Sequence, residues 1–264
     1  MEPLFIQMIA DYGVGDPAFG EVIQKLYLLE RNINVVPTSV PKFSTIATGF
    51  WTYQYAIQNP VPDMMIYTNT APRKDKKESR DKNEGERLVF AQLKNGMKIV
   101  GVNAGYCFSL VKPEIEFLYQ VNVSNKGSQF RSRDFYPEAV IGIARGKDEF
   151  IGETMKKDVI PEMPPLRIGW IDGYGNIKTT SRASDFKYKS GQHLMISLNG
   201  IKRPAVFTDG SFSVREGELA FAPGSSGGSN PFIEIFLRGL SAWREFGKPR
   251  VEKEFTVEVN NNHG

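Results

Sequence analysis

Leu4-Phe5-Ile6-Gln7-Met8-Ile9-Ala10 runs directly into Asp11-Tyr12-Gly13-Val14-Gly15-Asp16-Pro17. The first seven residues are a short, mostly apolar run closed by polar and glycine residues, which predicts a buried strand. Asp16 before Pro17 predicts a helix start. The carboxylate caps, and proline takes the first helical position, where its missing N–H costs nothing. Phe19, Val22, Ile23, Leu26 and Leu29 then recur at helical spacing. A strand, a glycine turn and a helix in that order are the unit of a layered α/β domain.

The pattern continues outward from there. Strands are expected at Ile33–Val36, Met64–Thr68 and Glu116–Val123. A hairpin of Leu88–Leu93 and Met97–Val102 is expected about Asn95-Gly96. Ser44 opens a second helix carrying Ile46, Phe50 and Ile57. Phe135, Ala139, Val140 and Ile143 form a last one, stopped by Gly146. Ile160-Pro161-Glu162-Met163-Pro164-Pro165 then reads as a stiff connector. Beyond it come short strand-like runs: Ile168–Ile171, His193–Leu198, Pro204–Thr208, Glu218–Ala222, Phe232–Leu237 and Phe255–Val259. The expected architecture is an α/β domain over residues 1–160, with a central, mostly parallel sheet flanked by helices. A smaller all-β, barrel-like domain over residues 161–264 follows it.

Composition excludes several classes. The 264 residues carry 33 basic and 30 acidic side chains, a net charge of +3, too small to argue for nucleic acid. No apolar run reaches the roughly 18–20 residues of a membrane span, and Met1–Ala10 lacks the basic start of a signal peptide. The single cysteine, Cys107, excludes an internal disulfide. With only His193 and His263, multi-histidine metal centres are excluded as well. A cytoplasmic protein is expected. Arg73–Arg87 holds 12 charged residues in 15, a solvated loop or a lid at the end of the Met64–Thr68 strand.

Gly13-Val14-Gly15-Asp16-Pro17-Ala18 fits the loose dinucleotide-binding pattern, but the acid expected at the end of the second strand is absent at Val36-Pro37-Thr38. Asp11 is the more telling residue. A carboxylate at the end of a first strand, beside a glycine turn, is placed to take two ribose hydroxyls.

Five segments, in order, carry a resemblance: Asp11-Tyr12-Gly13; Val40-Pro41-Lys42-Phe43; Phe130-Arg131-Ser132-Arg133-Asp134-Phe135; Ile171-Asp172-Gly173-Tyr174-Gly175-Asn176; and Phe232-Ile233-Glu234-Ile235. The series resembles the S-adenosylmethionine (SAM) hydroxide adenosyltransferases and the SAM-dependent fluorinase and chlorinase, over roughly residues 5–247. The resemblance implies displacement of L-methionine from SAM by a nucleophile at the ribose C5′. It implies a homotrimer with the site at the subunit interface, SAM as substrate, no metal, and no nucleic-acid or membrane partner. By position, Asp11 would hold the ribose diol and Phe43 would wall it. Asp172 and Ser229 would bind the amino-acid end. Asn176 would read the adenine edge with the backbone about Leu237 and Gly239. Phe130 and Ser132 would line the nucleophile pocket. On residue type alone, Asp172–Asn176 is also a good hairpin turn, Gly224–Ser229 also fits a plain flexible loop, and Phe43 and Phe130 also fit ordinary core aromatics.

The departures fall on the chemistry. Where the hydroxide adenosyltransferases carry Asp, Arg and His to handle water, this chain has Asn69, a position near Lys76 or Lys77, and Arg131. Asn69 cannot take a proton and Arg131 is always protonated, so neither is a base. Asn69, Lys76, Arg131 and Ser132 are therefore the expected surroundings of the nucleophile, which is water, hydroxide or a halide. The alternative is a non-catalytic homologue that binds SAM or adenosine.

Overall fold

The computed structural model describes residues 3–72, 86–124 and 128–260. The chain forms two compact units, Met1–Glu162 and Met163–Gly264.

The first unit begins with β1 (Leu4–Ala10), α1 (Pro17–Leu29), β2 (Ile33–Ser39), α2 (Thr45–Tyr53) and β3 (Met64–Asn69). Next come β4 (Leu88–Leu93), β5 (Lys98–Val102), β6 (Ile115–Val121), α3 (Arg131–Asp134), α4 (Tyr136–Ala144) and β7 (Ile151–Thr154). Asp16 caps α1, its carboxylate accepting from the Ala18 N–H, with Pro17 at the helix start. Ser44 caps α2 through the Ala47 N–H. Both caps satisfy amide groups that a helix start leaves unpaired.

The seven strands form one sheet in the order β2-β1-β3-β5-β4-β6-β7. β1 runs parallel to β2 and β3, and β3 parallel to β5. β4 is antiparallel to β5 and β6, and β6 to β7. The expected mostly parallel sheet flanked by helices is thus overturned: the sheet is mixed, and 23 % of the chain is helix against 34 % strand. The physical reason is local. Gly96 takes φ 84°, a left-handed turn that returns the chain beside itself, so β4 and β5 must be antiparallel.

The parallel centre is buried on both faces. Every residue of β3 is buried, as are six of the seven in β1. Ile6, Met8, Val22, Leu26, Met65, Tyr67, Val100 and Val140 pack in one core.

The second unit contains β8 (Ile168–Ile171), β9 (Ile177–Arg182), β10 (His193–Leu198), β11 (Ile201–Phe207), β12 (Leu219–Pro223), β13 (Phe232–Leu237), α5 (Ala242–Glu245) and β14 (Phe255–Val259). Their order is β14-β10-β11-β12-β13-β9-β8. All pairs are antiparallel except β11 with β12. The barrel-like domain expected here is instead a single mixed sheet curled into a half-barrel. Its edge regions meet through an isolated bridge, Arg167 to Glu254. Ile196, Phe221, Ile235 and Phe255 fill the concave core. Among the described residues, no helix is long and apolar enough to cross a membrane.

Gly101 lets β5 approach β3. A Cβ there would lie 1.9 Å from Thr68 Oγ1 and 3.1 Å from the Thr68 carbonyl oxygen. Gly101→Ala is therefore expected to destabilise the first unit by about 1–3 kcal/mol, the usual cost of overpacking. A lower urea midpoint at unchanged slope checks it.

Candidate functional site

In this sheet the chain leaves β1, reaches β2 on one side, then crosses to β3 on the other. Between β1 and β3 the strand order therefore reverses, and the carboxyl ends of the strands at such a switch point are where open α/β sheets bind ligands. Register sets what emerges there. Ala10 pairs with Asn69, so Asp11 and Asn69 emerge at one level, and the Asp11 N–H donates to the Asn69 carbonyl at 3.4 Å.

The Asp11 carboxylate is oriented by a backbone donor: the Phe43 N–H donates to Oδ2 at 2.8 Å. Phe43 adopts φ 63°, left-handed and unfavourable for a bulky residue, and is 53 % exposed. A strained backbone that delivers an N–H to a carboxylate is the kind of outlier that marks a site.

Beside it lies a buried polar cluster. Asn69 Nδ2 donates to the Tyr12 hydroxyl at 2.7 Å, and that hydroxyl lies 2.6 Å from Ser132 Oγ. The Tyr67 hydroxyl donates to the Ser132 carbonyl at 3.2 Å. Phe19 and Phe130 contact the Tyr12 ring edge-on, at centroid distances of 5.1 and 6.1 Å. Burial pushes the Tyr12 phenol up to about 12; the Asp11 charge adds to this, while hydrogen bonds from Ser132 and Asn69 oppose it. Tyr67 is likewise pushed well above its ordinary value by burial.

The structure thus brings Asp11, Phe43, Asn69, Phe130 and Ser132 together at the carboxyl ends of β1 and β3. It adds Tyr12, which the sequence alone does not single out although it follows Asp11. Its only signal there is a hydroxyl on an aromatic beside a strand end. The Arg131 guanidinium lies over the Tyr136 ring, 6.0 Å from the centroid. Lys76 lies outside the described residues.

In the second unit, Asp172 serves its own turn. Oδ1 accepts from the Tyr174 and Asn176 N–H groups, both at 3.0 Å, and Oδ2 accepts from Asn176 Nδ2 at 3.0 Å. Lys178 Nζ lies 3.8 Å from that oxygen and donates to Glu234 Oε2 at 3.0 Å and Ser225 Oγ at 3.4 Å. Lys178 and Glu234 are not anticipated from sequence, although an acid in the apolar run Phe232-Ile233-Glu234-Ile235 is a visible signal. Ser229 and Gly239 lie beyond opposite ends of β13, and Leu237 is its last residue, so these three do not form one cluster.

A groove of about 640 Å³ lies at the other end of the first sheet, lined by Leu4, Pro60, Val61, Met64, Met97 and neighbours. It sits at the amino ends of β1 and β3, away from Asp11 and Asn69. The convergence of polar side chains places the candidate site at the carboxyl ends instead. Among the described residues, no cluster of His, Cys, Asp and Glu is arranged to hold a metal.

No known protein family matches the chain, and no curated protein matches it in sequence. Solved structures do match in fold. An uncharacterized conserved protein from Thermotoga maritima superposes with TM-score 0.75 at 15 % identity, covering 96 % of this chain and 100 % of that one. A conserved hypothetical protein from Thermus thermophilus superposes with TM-score 0.69 at 18 % identity, covering 98 % and 100 %. At these identities the likeness is one of fold.

Two outcomes are expected. Phe43→Gly removes the left-handed strain, worth about 1–2 kcal/mol, from a half-exposed position, and is expected to raise the urea midpoint. An unchanged or lower midpoint would show that the strain is outweighed by the entropy that glycine gives the unfolded chain. Because the Tyr12 phenol is shifted upward on folding, its contribution is fully present below the unfolded value near 10 and is lost as pH rises through about 12. Alkaline titration at 295 nm is expected to show one tyrosine ionising near 12 that vanishes in Tyr12→Phe.

Proposed function

We propose that this chain binds S-adenosylmethionine at the carboxyl ends of β1 and β3 and transfers its adenosyl group by nucleophilic substitution at C5′. The observation that carries the reading is the Asp11 carboxylate, held at the switch point by the N–H of a left-handed Phe43. Charge-assisted hydrogen bonds from a ribose diol to a fixed carboxylate are strong and directional. Phe43 walls the sugar, and Tyr12, Asn69 and Ser132 mark where a nucleophile would stand. In the homotrimer that the reading requires, the second unit of the neighbouring subunit would supply Asn176, Leu237 and Gly239 to the adenine edge and Asp172 and Ser229 to the amino-acid end.

The chemistry balances without a redox partner. A lone pair of the nucleophile forms a bond to C5′ as the C5′–S bond breaks. That bonding pair stays on sulfur, and the sulfonium becomes the neutral thioether of L-methionine. The chain's part is to align the nucleophile with the breaking bond and to exclude bulk water, which lowers the entropic barrier. A homotrimer in the cytoplasm belongs to the same proposal.

Asp11→Ala is expected to weaken SAM binding by calorimetry at least about tenfold, since each charge-assisted hydrogen bond contributes about 1.5–3 kcal/mol. Unchanged affinity removes Asp11 from the site. Wild-type protein incubated with SAM is expected to release methionine, read by liquid chromatography and mass spectrometry. Bound SAM without methionine would favour a non-catalytic binder. Sedimentation is expected near three times 29.7 kDa.

A further inference from the structure

We infer that Arg182 and Lys178 are positioning residues: from one bulged strand they hold the loop Gly224–Asn230 in a fixed shape, and through it Ser229, which the proposed function gives to the amino-acid end of the ligand. The inference rests on that reading for its ligand and on the second unit alone for its geometry. By composition Gly224-Ser225-Ser226-Gly227-Gly228-Ser229 is a flexible linker. Its contacts make it the opposite.

The bulge comes first. Phe232 and Glu234 stand two residues apart on β13, yet they face Arg182 and Lys178, four apart on β9. β9 therefore carries extra residues here, and a bulge of this kind bends a strand and re-aims its side chains. The Ile233 carbonyl, between the two pairs, is satisfied by the Thr179 hydroxyl, which donates to it at 2.8 Å. The two long cations reach opposite ends of one loop. Lys178 Nζ, 3.0 Å from Glu234 Oε2, donates to Ser225 Oγ at 3.4 Å. Arg182 Nη1 donates to the Asn230 carbonyl at 2.6 Å and to the Gly227 carbonyl at 3.3 Å. The same guanidinium lies 3.7 Å from the centroid of the buried Phe232 ring. Only a planar, forked cation can stack and donate at once, which sets arginine apart from lysine at this position. The grip extends past Arg182: the Ala183 N–H donates to the Pro231 carbonyl at 2.9 Å, and Asn230 Nδ2 donates to Ser184 Oγ at 3.0 Å.

Gly227 is glycine for closeness as well as for its φ of 105°. A Cβ there would lie 2.7 Å from Arg182 Nη1, 2.7 Å from Phe232 N and 2.9 Å from the Asn230 carbonyl oxygen. The loop is also closed on itself: the Gly224 N–H donates to the Phe232 carbonyl and the Phe232 N–H to the Ser226 carbonyl, both at 2.8 Å. The cation decides what the loop presents. In a trans peptide the C=O and N–H point in opposite directions. With the Gly227 carbonyl on Arg182, the Gly228 N–H is turned to the far side, and Gly228 and Ser229 are exposed. A loop already ordered meets its ligand without first losing its own freedom, which is how preorganisation raises affinity.

The test separates the amino-acid end of the ligand from its nucleoside. The full-length wild type, Arg182→Gln and Lys178→Met are titrated by calorimetry with SAM and with 5′-methylthioadenosine, which lacks the amino-acid end. Arg182→Gln is expected to weaken SAM about tenfold and 5′-methylthioadenosine less than about twofold. Lys178→Met is expected to act in the same sense and guards against a folding defect in one variant. A merely structural role would weaken both ligands alike, so the difference between them is the readout. A second measurement needs no ligand. Amide hydrogen exchange of the peptide spanning Gly224–Asn230 is expected to speed up about tenfold or more in Arg182→Gln, while the peptide covering β10 keeps its wild-type rate. A wild type that binds SAM, with Arg182→Gln weakening both ligands equally or neither, overturns the inference and leaves the SAM reading standing. A wild type that takes neither ligand overturns the SAM reading; the hold on the loop then stands if its exchange speeds up alone. Loop exchange unchanged in both variants overturns the inference whatever binds.

Discussion

The pairing of Ala10 with Asn69 across β1 and β3 is the constraint on which the candidate site depends. Both strands are central, parallel and buried, so polar chemistry is confined to where they end. Asp11 and Asn69 come out together only in this register. A slip of one residue would turn every side chain of one strand to the opposite face. Ile6, Met8, Met65 and Tyr67 hold the register by filling one core with Val22 and Leu26 of α1. The hydrophobic packing of the sheet and the geometry of the site are therefore one property.

Once the register is set, the polar cluster sustains itself. Asn69 and Ser132 are buried at 8 and 7 % exposure, where an unpaired amide or hydroxyl costs about 1–3 kcal/mol. Tyr12 satisfies both, and its ring is held edge-on by Phe19 and Phe130. No single member can turn away without stranding another. Donors fixed in this way do not have to reorganise during a reaction, which is what makes preorganised dipoles effective. The left-handed Phe43 plays the same part for Asp11: folding supplies the strain, and the carboxylate receives a donor it could not otherwise reach.

Most individual elements are legible in the sequence, while the sheet they build is not. Leu4–Ala10 and Asp16-Pro17 announce a strand and a helix through apolar run and cap. Asn95-Gly96 announces its hairpin, and that hairpin already requires a mixed sheet, because two strands joined by a tight turn cannot be parallel. β7 and β9 are hidden for a physical reason. Ile151-Gly152-Glu153-Thr154 is short and lies at an edge, and Ile177-Lys178-Thr179-Thr180-Ser181-Arg182 is mainly polar although much of it is buried. Thr179 and Thr180 bury their hydroxyls by donating to the Ile233 and Pro164 carbonyls, which composition cannot foretell. The site divides the same way. Asp11 is conspicuous as a carboxylate at a strand end, whereas Tyr12 matters only once the fold carries Ser132, 120 residues away, to its hydroxyl.

The second unit shows how one residue can satisfy two readings. By residue type Asp172 is equally a turn residue and a ligand residue, and its carboxylate accepts two backbone N–H groups and the Asn176 amide. That makes it a turn residue by geometry. It also orients the Asn176 amide, one of whose two Nδ2 hydrogens goes to Asp172 Oδ2. Under the proposed function an Asn176 amide held in this way reads the adenine edge. A six-residue strand separates its ends by about 16–20 Å, so Ser229 and Gly239 serve at most opposite ends of one ligand. Lys178 spans part of that interval, tying Asp172 and Glu234 to Ser225 in the loop that carries Ser229. One ammonium lies between two carboxylates there, so the three side chains together carry one negative charge in excess.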